Sequence, residues 1–86
     1  MKYGIYAIFD AVSGVFTAPT IDLADSAAAR NFRKMCADAG SMVNFAPADF
    51  AIYRIGDFDV ETGAITPLSP VMCVLRGSDV KGDENV

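Results

Sequence analysis

Apolar residues along the chain follow two periods, close to two near each end and close to 3.6 between them. Residues 2–9 alternate, with Tyr3, Ile5, Ala7 and Phe9 on one face and Lys2, Gly4, Tyr6 and Ile8 on the other. The first face is wholly apolar and is expected to meet the core; the second is expected to be half exposed. Residues 11–14 read as a turn and 15–18 as the hairpin partner, which Pro19 ends. Asp22 or Asp25 then caps a helix that runs to about Ala39, with Gly40 just past its end. Ala28, Phe32, Met35, Cys36 and Ala39 form its apolar stripe, and Arg30, Arg33 and Lys34 its opposite, basic side.

The second half returns to strand patterns. Residues 41–49 are a connector with Phe45 as an apolar anchor. Residues 51–67, AIYRIGDFDVETGAITP, read as strand, turn and strand, with Ile52 facing inward, away from Tyr53 and Ile55. After a break at 68–70, VMCVLR (71–76) is an apolar run of strand length, at an edge of the sheet or exchanged with another chain. From Gly77 onward the chain is polar and acidic, read as a flexible tail. The expected architecture is one small α+β domain over residues 1–76, of order ββαβββ with an antiparallel sheet, and a tail over 77–86.

The two hairpins also repeat each other. Tyr3 matches Phe50, Ile5 matches Ile52, Tyr6 matches Tyr53, Ile8 matches Ile55 and Asp10 matches Asp57. After two extra residues placed in the second turn, Gly14 matches Gly63, Phe16 matches Ile65 and Thr17 matches Thr66. Two hairpins packed as equivalent halves of one sheet are the expected consequence.

Composition narrows the functional classes. With 86 residues the chain holds one modest core, and its 52% hydrophobic content is high for a monomer, which points to a homodimer. A two-fold interface through the strands or through a Tyr6/Tyr53 face is expected. Seven basic residues against eleven acidic ones give a net charge of −4, the wrong sign for non-specific phosphate binding. There is no histidine, so the usual neutral-pH acid–base group and the commonest metal ligand are both missing. Cys36 and Cys73 lack metal-type spacing and read as reduced core residues of a cytosolic protein. No apolar run approaches a membrane span, and no signal peptide is recognised.

Enzymatic readings find little support. Asp57 and Asp59 sit in turn chemistry, the DxDxE run from Asp57 to Glu61 lacks the glycine and distal glutamate of a calcium loop, and Ser13, Ser26 and Ser41 have no base to activate them. Neither catalysis nor a cofactor is expected. Binding is better served. Tyr3, Tyr6 and Tyr53 stand on strands beside Arg54, the elements of a stacking platform for single-stranded nucleic acid, and Arg30, Arg33 and Lys34 offer contacts to phosphates.

Three segments together carry a family resemblance. IYAIFDAVSGVFTAP, then AARNFRK, then PADFAIYRIGDFDVETGAI resemble the small nonstructural protein of gokushoviruses, single-stranded DNA bacteriophages of the Microviridae. The resemblance spans residues 3–75, and its most specific part is Pro47, Asp49, Phe50, Tyr53, Ile55, Gly56, Phe58, Asp59, Thr62, Gly63 and Ile65. It implies a viral DNA-binding protein of the host bacterial cytoplasm, serving single-stranded DNA replication or packaging. On that reading the nucleic-acid-binding residues are Arg30, Arg33, Lys34, Arg54, Tyr6 and Tyr53. The competing reading is an adaptor that contacts the replication initiator or the procapsid without touching DNA.

Overall fold

The computed structural model describes residues 1–80. Strand β1 (Lys2–Asp10) lies at the centre of an antiparallel sheet and pairs along its length with β4 (Phe50–Asp59). Outside β4 runs β5 (Ile65–Arg76), and outside β1 run two short strands in succession, β2 (Val15–Phe16) and β3 (Thr20–Asp22). Helix α1 (Asp25–Ala37) crosses one face of the sheet, followed by a single turn, α2 (Met42–Phe45). The α+β class, the single main helix and the antiparallel sheet are as expected. The strand order is βββαββ: β3 precedes the helix, and residues 68–71 interrupt the pairing with β4 without ending β5.

The core forms between the sheet and α1. It joins Tyr6, Ile8, Phe50 and Ile52 to Ala28, Phe32, Cys36 and Val43. The face of β1 that meets the helix is therefore the one holding Tyr6 and Ile8, not the wholly apolar one. Phe32 is fully buried at the centre of the helix stripe, while Met35, on the edge of that stripe, stays exposed. The connector's anchor is Val43; Phe45 is 88% exposed, because the α2 turn points it away from the core.

Both ends of α1 differ from the sequence reading. Ala24 occupies the N-cap position with no side-chain hydrogen bond, and the Asp25 carboxylate is engaged elsewhere. At the other end Asp38 takes an extended conformation, so the helix stops at Ala37, and the Asn44 side chain donates to the Cys36 carbonyl at 2.7 Å. The ordered chain also continues past Arg76. Gly77–Asp79 form a 3₁₀ turn in which Gly77 is buried, and Val80 packs against the core. The rest of the expected tail, 81–86, lies outside the described residues.

The repeat is real at the turns and shifted in the strands. Gly14 and Gly63 both adopt a left-handed conformation (φ 76° and 78°), and each donates its N–H to the carbonyl of an aspartate at 2.8 Å. Those aspartates are Asp10 and Asp59, and each side chain also accepts from the backbone two residues on, at 2.9 Å. Phe9 pairs with Phe16 as Phe58 pairs with Ile65. Asp10 thus corresponds to Asp59, not Asp57, and the turns have equal length. The mismatch falls inside β4, where Ile5 pairs with Gly56 and Tyr6 with Arg54, leaving Ile55 as a bulge. Consequently Tyr6 and Tyr53, matched in sequence, lie on opposite faces of the sheet.

Candidate functional site

Each side of this two-layer molecule presents different chemistry. Between the layers, Tyr6 is fully buried and its hydroxyl donates to Asp25 Oδ1 at 2.6 Å. Arg54 Nη1 donates to the same oxygen at 2.7 Å, and its Nε and Nη2 donate to Asp57 Oδ1 at 3.0 and 2.6 Å. The guanidinium also lies over the Tyr6 ring, 5.8 Å from its centre. In an unbroken strand, residues three apart point to opposite faces; the bulge at Ile55 brings Arg54 and Asp57 to the same one. Gly4 completes the arrangement, since the Tyr6 ring lies where any Cβ at position 4 would go.

The electrostatics follow from these contacts. Burial, reinforced by the bond to Asp25, pushes the Tyr6 hydroxyl far above its ordinary range. The Tyr6 hydroxyl and then Arg54 hold the Asp25 carboxyl below the usual carboxylate range. The bond to Asp57 raises Arg54 further. This cluster fastens the first turn of α1 to the central strands. It leaves neither Tyr6 nor the Arg54 guanidinium available to a nucleic acid as the sequence reading expected: Tyr6 is enclosed, and Arg54 is already paired with two carboxylates.

The basic residues of the helix are placed differently. Arg30, Arg33 and Lys34 are exposed on the outer side of α1, and none forms an ion pair among the described residues. Beside the helix an open groove of about 830 Å³ runs down to Ile8, Phe32 and Ile52, with Asp22, Lys34 and Asp38 at its rim.

Among the described residues no helix lies on the opposite face of the sheet, although Ile5 and Ala7 there are themselves buried. This face carries Ile5, Ala7 and Phe9 from β1 and Ala51, Tyr53 and Phe58 from β4, flanked by Phe16, Cys73 and Arg76. Phe9, Phe16 and Tyr53 form one aromatic cluster: Phe9 and Phe16 are tilted at 5.0 Å, and Tyr53 meets them edge-on at 6.3 and 5.7 Å. Phe16 remains 43% exposed. Tyr53 is therefore the one residue of the expected set that stands on this face, with the helix cations on the far side of the molecule. Phe9 and Phe16 were missed as site residues, although alternation in β1 already put Phe9 opposite Tyr6 and Ile8. Cys73 belongs to this face and is half-buried, not a core residue; Cys36 is in the core, where burial raises its thiol.

Fold and surface together define a small two-layer α+β protein, one main helix over an antiparallel sheet whose other face carries an aromatic cluster and, among the described residues, no helix. The family model for the Phage ORF5 protein matches residues 3–80, and the chain belongs to that family: it is a phage protein. No curated protein and no solved structure matches it. Among the described residues no helix is long and apolar enough to cross a membrane.

Proposed function

We propose that this phage protein binds single-stranded DNA on the face of its sheet away from the helix, in support of single-stranded genome synthesis or packaging. The observation that carries the reading is the Phe9–Phe16–Tyr53 cluster on and beside the two central strands, open on the side away from the helix. Aromatic rings on a bare antiparallel sheet are how single strands are held by stacking, at about 1–3 kcal/mol per base. The resemblance to gokushovirus nonstructural proteins supports the same reading. Arg76 is the cation beside the cluster, so affinity comes mainly from stacking. That suits a chain of net charge −4.

The adaptor reading rests on a different property of the same face, its nearly uncharged, apolar character, which suits a protein surface such as the replication initiator or the procapsid. A gel-shift titration with single- and double-stranded DNA at low and moderate salt separates the two. Each phosphate contact contributes about −0.7 to the slope of log K against log salt. The sheet-face reading predicts preference for single strands and a shallow slope of about −1, weakened by Arg76→Glu and abolished by Phe16→Ala with Tyr53→Ala. No binding at low salt favours the adaptor.

A further inference from the structure

Strand β5 has the sequence of an interior strand and the position of an edge strand. Val71, Met72, Cys73, Val74 and Leu75 are apolar on both faces, the pattern of a strand with neighbours on either side. Yet β5 ends the order β2-β1-β4-β5, so only β4 pairs with it among the described residues. The other end of the sheet is different, because β2 and β3 in succession cover the outer side of β1. Edge strands are normally guarded by proline, by charge, by a bulge or by shortness. β5 is 12 residues long, and its prolines, Pro67 and Pro70, guard only its first half. Residues 71–75 have neither proline nor charge; their one irregularity is a one-residue shift at Val74 in the pairing with β4, and Val71 and Met72 are 38% and 45% exposed.

We infer that residues 71–76 pair antiparallel with the same residues of a second copy about a two-fold axis, joining two sheets into one. A second copy is the occupant because an antiparallel edge is self-complementary about such an axis. The charge pattern agrees: Arg76 is the only charge in the run and stands at its end, so the two arginines lie at opposite ends of the shared ladder. The high apolar content of so short a chain points the same way. The axis is perpendicular to the sheet, so both aromatic faces lie on one side of the dimer. The pairing does not depend on DNA binding, and each is tested without the other.

The test is the mass of the full chain in solution at micromolar concentration. The wild type is expected to sediment as a dimer. The Val71→Lys/Met72→Lys variant alters only exposed positions and is expected to sediment as a monomer with an unchanged thermal melt. A short bifunctional maleimide is expected to link Cys73 to Cys73 of the second copy in the wild type, Cys36 being buried. A monomeric wild type overturns the inference, as does a folded double-lysine variant that remains dimeric. Should that variant fail to fold, the cross-link decides alone, and a wild type without Cys73–Cys73 product overturns the inference.

Discussion

At the scale of single residues, the pair formed by Tyr6 and Asp25 makes stability depend on pH at both extremes. The Asp25 carboxyl titrates below its ordinary value of about 4, so its contribution is complete above that pH and lost as pH falls through the folded value. Tyr6 titrates above its ordinary value of about 10, so its contribution is complete below pH 10 and lost as pH rises beyond it. Denaturant midpoints are expected to be level between these limits and to fall at pH 11; in Tyr6→Phe the alkaline fall should shrink. At pH 7 that variant should lose about 1.5 kcal/mol, the low end for a charged hydrogen bond, because Asp25 is partly exposed and still held by Arg54. A midpoint that falls equally in parent and variant at pH 11 would show that the hydroxyl is not the group responsible. Phe32→Ala, at a fully buried position, is expected to cost about 3–5 kcal/mol in the same measurement. Phe32 was legible from the helix period alone. The roles of Asp25 and Asp57 were not, since nothing in the sequence marks the bulge that turns Arg54 and Asp57 to one side.

Elements show the same division between local and long-range causes. The two turns are specified by short motifs, Asp10 to Gly14 and Asp59 to Gly63, in which an aspartate side chain folds the backbone and a glycine takes positive φ. Replacing Gly14 or Gly63 by alanine is expected to cost about 1 kcal/mol each by chemical denaturation, from the left-handed strain. Equal losses at the two sites would fit equivalent turns; no loss at one would mean that its turn relaxes to another type. The turns were readable because their causes lie within five residues. Strand faces were not, because a single bulge reverses every side chain beyond it. That is why Tyr6 and Tyr53 look alike in sequence and do different work, one anchoring the helix and the other standing on the open face. Phe45 fails for a related reason: the α2 turn gives the buried position to Val43 two residues earlier.

For the whole molecule, what matters is that one helix covers one side of a sheet that has two apolar sides. The covered side yields a core sealed at one end by the Tyr6–Asp25–Arg54–Asp57 cluster, and the side away from the helix yields the aromatic surface. The cations of α1 lie across the molecule from those aromatics, so one DNA strand does not meet both without wrapping around it. Reversing Arg30, Arg33 and Lys34 to glutamate is therefore expected to change single-strand affinity little and the fold not at all, as read by gel shift and thermal melt. A large loss of binding in that variant would move the site to the helix. The most direct measurement is amide chemical-shift mapping of the labelled protein titrated with a short single strand. The account predicts perturbations concentrated at Ala7, Phe9, Phe16, Ala51, Tyr53 and Arg76. Perturbations centred on Arg30, Arg33 and Lys34, or none at all, would contradict it.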